Sequence, residues 1–206
     1  MIKETESGLR PEILEAARDI LVSEGIGNLS MRKIAGEIGC KAPSIYYHFK
    51  NKDAIIHALI DEGHLNLYQK LARAYSSNET PEVNLENNLR AFINFGNENP
   101  QFYEIMYMSP LQDLERYPIE NFRNTRKSLE FGIQIFKQCY DKGLIEKQDF
   151  QLLASSAFVM LHGYMSLALT YRLDNRAERA GLLENLIDGI FLRLGLERPI
   201  IVASAS

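Results

Sequence analysis

Apolar residues recur along this chain at three- and four-residue spacing, and alternating β-branched runs are missing. That single periodicity restricts the fold to helix packed on helix, because each apolar stripe must be covered by another. Ile13, Leu14, Ala17, Ile20 and Leu21 form one stripe, with Pro11 expected near the helix start and Gly25 and Gly27 closing it. Ser30 is placed to cap a short second helix carrying Ile34, Ala35 and Ile38, which stops at Gly39. A third begins near Ala42, with Pro43 in its first turn, and Asn51 is placed to cap a longer fourth.

After a polar loop from Ser76 to Pro81, Leu85, Leu89, Phe92 and Ile93 mark the next helix. Asn99-Pro100 restarts a short one holding Phe102, Tyr103, Met106 and Tyr107, and Pro110 and Pro118 bracket an irregular segment. Phe122, Leu129, Ile133 and Phe136 mark a long helix ending at Gly143. Two more run roughly from Phe150 to Tyr171 and from Ala177 to Leu194, before a tail from Pro199 expected to fray. The expectation is an all-α chain of about nine helices.

With 206 residues, 46% of them hydrophobic and 24% charged, the chain has bulk for a core and an ordinary composition. No apolar run is expected to reach the roughly 18 residues that span a bilayer, so no membrane partner is assigned. Met1 to Arg10 carries no apolar leader core, which points to the cytoplasm. Cys40 and Cys139 lie far apart without metal-binding spacing and read as reduced, buried thiols. His57, Asp61 and His64 share one face of the fourth helix, but no fourth ligand is evident. They read as a solvated or pocket-facing stripe rather than a metal site. There is no GxGxxG, P-loop, GxSxG or HExxH, and no paired carboxylates in a catalytic setting. A helical enzyme acting on an apolar small molecule is therefore the weaker alternative, with no catalytic residue, cofactor or metal assigned.

The formal charge of −4 excludes less than it suggests, because phosphate binding needs a basic face rather than a basic protein. Between Arg32 and Lys52 five bases (Arg32, Lys33, Lys41, Lys50, Lys52) stand against one acid, Glu37. This is also where two short helices meet around a Gly-containing turn, the unit that sets its second helix in a major groove. Ile34, Ala35, Ile38, Ile45 and Phe49 fall where the crossed helices would face each other, and Gly39 supplies a positive φ. Lys41, Ala42, Ser44, Tyr46, Tyr47 and His48 are then left outward. Lys41, Ala42, Pro43 and Ser44, nearest the helix start, are candidates for reading base edges. Tyr46, Tyr47 and His48 carry donors suited to phosphate. Lys52 adds charge beside a helix start, and Arg32 and the Ser30 hydroxyl can grip the neighbouring backbone.

Residues 10 to 56, with Ala16-Ala17, Gly25, the run Leu29-Ser30-Met31-Arg32-Lys33-Ile34-Ala35 and the run from Ser44 to Lys52, resemble the DNA-binding domain of the TetR family of repressors. The resemblance implies that Ser44, Tyr46, Tyr47, His48 and Lys52 contact double-stranded operator DNA, supported by Ser30 and Arg32. It implies a helix-turn-helix domain over residues 1–53 and an effector-binding and dimerisation domain over residues 54–206. Met31 departs from the Thr or Val common at its place.

Farther along, Phe95-Gly96-Asn97-Glu98-Asn99-Pro100 with Tyr103, Met106 and Tyr107 is similar to one effector-domain subgroup of that family. So is Phe158 to Tyr164, which matches a Trp-x-x-x-His-Gly pattern with Phe158 in the place of Trp. The resemblance implies a homodimer through the last two helices, and the small residues Gly163, Ser166, Ala168, Gly181 and Gly189 suit close packing there. Phe92, Phe95, Tyr103, Met106, Tyr107, Phe131, Phe158, His162 and Met165 are the expected lining of a pocket for a small, hydrophobic or aromatic effector. The reading that results is a ligand-responsive repressor.

Overall fold

The computed structural model describes residues 6–109, 122–173 and 176–200. Among the described residues there are nine α-helices and no strand. The helices are α1 (Glu6–Glu24), α2 (Met31–Glu37), α3 (Ala42–His48), α4 (Lys52–Ala74), α5 (Pro81–Glu98), α6 (Pro100–Tyr103), α7 (Phe122–Asp141), α8 (Phe150–Leu169) and α9 (Arg176–Leu194). A 3-10 turn, Ile26–Asn28, follows α1, and α6 runs directly into a π turn, Glu104–Met108. The irregular segment between Pro110 and Pro118, the side chain of Phe122 and the tail past Ile200 lie outside the described residues.

Two sequence expectations need correction. Pro11 lies inside α1, which opens at Glu6, so its missing amide falls in the second turn. And α8 is long and apolar enough, by length and composition, to cross a bilayer, with a mean hydropathy of 1.5 over its window. Its polar residues (Gln151, Ser155, Ser156, His162, Ser166) interrupt the apolar run without adding an Asp, Glu, Lys or Arg.

The described residues gather into two compact units, Met1–His64 with Asn99–Arg123 and Leu65–Glu98 with Asn124–Ser206, which share α4 at His64. In the first, α1 packs on α2 and α2 on α3. Ile13, Ala17, Leu21, Leu29, Ile34, Ile45, Ile55 and Leu59 are at most 2% exposed there. Full burial of one such large aliphatic chain contributes about 1.5–3 kcal/mol, which makes this small core the main source of the unit's stability. Arg18 grips Glu62 through Nε at 2.6 Å and Nη2 at 3.1 Å, setting the approach of α4 to α1 more than adding stability, since both groups are part-exposed. The α6 segment, distant in sequence, also packs on α1 and buries Tyr103 completely.

In the second unit α5 packs on α8 and α8 on α9. Asp149 caps α8 by accepting from the Leu152 amide at 3.0 Å. Asn84 clamps the preceding loop, accepting from Ser76 N and donating to Ser76 O, both at 2.9 Å. Glu86, at 1% exposure, is held by Arg90 from its own helix and by Arg198 beyond α9, which also binds Glu184 and Asp188. Cys139 is buried in α7, whereas Cys40 is only half-buried, its Sγ facing Lys41 O at 3.6 Å.

Candidate nucleic-acid interface

Local chemistry positions α2 and α3 with little freedom. Ser30 is extended and its Oγ accepts from the Lys33 amide at 3.2 Å, capping α2, while its hydroxyl hydrogen remains available to donate. At the other end Cys40 N–H reaches Ala35 O at 2.9 Å and Gly39 N–H reaches Gly36 O at 3.3 Å, around Gly39 at φ 66°. That paired closure needs the left-handed residue that glycine supplies, and it aims the chain into α3. Pro43 sits in the first turn of α3, and Asn51 Oδ1 accepts from the Ala54 amide at 2.9 Å to open α4.

The faces of α3 divide sharply. Ile45 and Phe49 are anchored in the core, with the Arg10 guanidinium 4.9 Å from the Phe49 ring centre. Outward, Tyr46 is 53% and Tyr47 74% exposed, Lys41 and Pro43 are exposed, and Ala42, Ser44 and His48 are half-buried. The Tyr47 and His48 rings meet edge to face at 5.2 Å. The five bases of this stretch are not equivalent. Lys33 is paired with Glu24, and Lys52 donates to the Ile26 carbonyl at 3.3 Å, which ties the start of α4 to the 3-10 turn. Arg32, Lys41 and Lys50 stand exposed. Every residue of the expected DNA-contact set is exposed or half-buried, and Lys52 also has a structural partner.

The expected effector residues divide between the units. Phe92, Phe95, Phe131, Phe158, His162 and Met165 are in the second; Tyr103, Met106 and Tyr107 are in the first. In the second, Phe92 meets Phe158 edge to face at 5.7 Å, and Phe158 stacks on His162 at 5.6 Å with ring planes 11° apart. Burial lowers the pKa of His162, favouring the neutral ring. Phe131 meets Tyr68 and Tyr75 edge to face, while Phe95 and Met165 are plain core. In the first, Tyr107 lies against His64 at 5.6 Å and Tyr103 at 5.0 Å. Burial raises both phenols above their ordinary range and pushes His64 down to about 4. His57 and His64 are buried rather than solvated.

Residues 13–59 match the family model described as bacterial regulatory proteins, tetR family, and residues 85–190 match that of the tetracyclin repressor-like C-terminal domain. The chain belongs to the TetR family. As a TetR-family member it is a transcriptional regulator with a helix-turn-helix DNA-binding domain. It is 40% identical over 53 residues to the class D tetracycline repressor protein of Escherichia coli, covering 26% of this chain and 24% of that protein. It is 34% identical over 77 residues to the transcriptional regulator TtgR of Pseudomonas putida, covering 37% and 36%. The match thus spans about a quarter to a third of those relatives' length.

Solved structures share the TetR fold over nearly the whole chain. A Rhodococcus sp. RHA1 protein of unknown function superposes with a TM-score of 0.78 at 23% identity, covering 94% of this chain and 99% of that one. The regulator FadR of Bacillus subtilis, solved with stearoyl-CoA, gives 0.70 at 17%, covering 87% and 98%.

Asn88, on the α5 face that carries Leu85, Leu89 and Phe92, is not singled out by any motif. Its only signal in the sequence is a polar side chain on an apolar stripe.

Proposed function

We propose that the chain is a homodimeric repressor that holds operator DNA with α3 and the starts of α2 and α4, and that a small hydrophobic or aromatic effector releases it. The division of α3 carries this reading. Its apolar side chains are spent on its own core, and its outer face offers hydroxyl, amine and imidazole groups suited to phosphates and base edges. Lys41, Ala42, Pro43 and Ser44 read bases, while Tyr46, Tyr47, His48, Ser30, Arg32 and Lys52 hold the backbone. Residues 1–53 do the reading and residues 54–206 sense the effector and dimerise. The protein acts in the cytoplasm, where its DNA is.

The outer face of α8 supports dimerisation. Leu152, Val159 and Leu167 recur along it at 58%, 64% and 41% exposure, with Gly163 between them, and Leu182 and Leu192 stand out on α9. A stripe so apolar is covered by a second copy rather than by water. A two-fold dimer presents two α3 helices to a palindromic operator, about 34–36 Å or a multiple apart.

The α5–α8 aromatic cluster supports an apolar effector, in keeping with the acyl thioester held by the Bacillus subtilis fold neighbour. Release is a population shift: the effector favours an arrangement of the reading heads that fits the operator less well. α4 is the mechanical link in this reading.

Fluorescence anisotropy of the chain on its own upstream intergenic DNA, at two salt concentrations, tests the proposal. Saturable binding to a palindrome, weakened by salt and reversed by effector, is the expected result. Binding no tighter than to random DNA, with no site recovered by genome-wide selection, overturns it.

A further inference from the structure

Arg10, in the second turn of α1, is exposed, and its guanidinium carbon lies over the buried Phe49 ring, 4.9 Å from its centre. A guanidinium over an aromatic face is held by its plane and keeps its N–H edge for another partner. Other arginines spend that edge inside the fold: Arg18 on Glu62, Arg90 and Arg198 on Glu86 and Glu184, and Arg179 on the Leu173 carbonyl. Among the described residues, no carboxylate or carbonyl takes the edge of Arg10. The place of the ring matters as much. Phe49 closes α3 directly after His48, and Lys50, Asn51 and Lys52 follow it into α4. Arg10 is thus pinned at the rim where α3 gives way to α4, beside the stretch that carries His48, Lys50 and Lys52.

We propose that Arg10 is a phosphate clamp of the DNA interface, its guanidinium edge donating two parallel hydrogen bonds to one backbone phosphate at the rim between α3 and α4. The inference rests on the reading in which α3 holds DNA, and it carries that surface onto α1, outside the run from Ser44 to Lys52. A planar fork matches two phosphate oxygens, and the Phe49 face holds it in place before DNA arrives, so less side-chain freedom is lost on binding. A base edge fits worse. Groove readers stand at the start of a recognition helix, whereas Arg10 lies over the residue that ends α3. The contact therefore adds affinity and register but no sequence preference.

The test is fluorescence anisotropy over a series of salt concentrations, on the upstream intergenic DNA and on a random duplex, with Arg10→Gln, Arg10→Leu and Arg10→Lys. Arg10→Leu keeps the Phe49 ring covered without a charge, and Arg10→Lys keeps a charge without the fork. In the two neutral variants the slope of log K against log salt should flatten by about 0.9, the share of one phosphate. Their affinity should fall about tenfold at low salt, equally on both DNAs, with the Tm of Arg10→Leu unchanged. Arg10→Lys should keep the slope and recover part of the affinity. An unchanged slope in both neutral variants overturns the clamp, whatever their Tm, and leaves the α3 surface standing. A loss confined to the intergenic DNA also overturns it, by making Arg10 a base reader. If the unaltered chain shows no salt-dependent binding to either DNA, the α3 reading and the clamp fall together.

Discussion

Met106 Sδ lies 2.6 Å from the point where a Cβ on Gly63 would stand, with the Phe102 ring at 3.0 Å. Only a hydrogen fits there, so Gly63 marks where the π turn presses on α4. Gly63→Ala gains about 1 kcal/mol in helix propensity but displaces packed side chains at a cost of about 1–3 kcal/mol. A net loss near 1 kcal/mol is expected, a fall in Tm of about 2–4 °C. In a Met106→Ala background the same substitution should be neutral or stabilising, which differential scanning calorimetry of the double-mutant cycle would show.

Tyr47 is 74% exposed and touches little beyond His48, so its removal should leave stability within about 0.5 kcal/mol. Tyr47→Ala is expected to weaken operator binding about tenfold by anisotropy, with an unchanged melting curve. Ile45→Ala is the counterpart: buried at 0% exposure, it should cost about 2–5 kcal/mol and lose binding through unfolding. Wild-type affinity in folded Tyr47→Ala would remove α3's outer face from the proposal.

On α8, Val159→Glu puts a charge in the middle of the exposed apolar stripe. Sedimentation equilibrium is expected to show a dimer becoming a monomer while helicity is retained. A variant that stays dimeric at micromolar concentration would move the interface elsewhere.

Acid should destabilise the protein in two steps. Burial holds folded His64 at about 4, against 6.5 ordinarily, so between those values the unfolded chain binds more protons. The contribution of neutral His64 is therefore complete above pH 6.5 and lost as pH falls towards 4, roughly 3 kcal/mol at most. Glu184 acts lower. The Arg90 hydrogen bond, with help from Arg198, holds it at about 2 against 4.5, so its contribution disappears as pH falls below 4.5. Its carboxylate is 43% exposed, so that step is small. Urea midpoints at pH 7, 5.5 and 4.5 should decline in the natural chain and flatten in His64→Phe; parallel slopes would assign the decline to other groups.

Arg198→Ala leaves the Glu86 carboxylate, at 1% exposure, with Arg90 alone. A loss of about 2–4 kcal/mol is expected, and Arg198→Lys should recover only part of it, because one amine cannot replace a planar fork reaching Glu86, Glu184 and Asp188. Chemical denaturation of both variants measures the order.

Local rules made much of this molecule legible. The Ser30 and Asn51 caps, the glycine closure at Gly39 and the buried stripe through Ile34 and Ile45 each depend on residues a few positions apart, so spacing alone revealed them. The run from Ser44 to Lys52 carried the family for the same reason. Long-range placement was not legible. Lys33 and Lys52 look like spare positive charge in the chain, yet Glu24 and the Ile26 carbonyl engage them in the fold. Nor does local pattern show that Tyr103, Met106 and Tyr107 fall in the unit that contains α1 to α3.

What the sequence determined by itself was the helical class, the helix-turn-helix and its outward residues, because periodicity, caps and turn glycines act within one or two turns of chain. What only the tertiary structure decided was which charges are spent on internal partners, where Met106 meets Gly63, and that Asn88 is buried without an acceptor. Those outcomes depend on which distant segments come to lie side by side, and no local pattern encodes that.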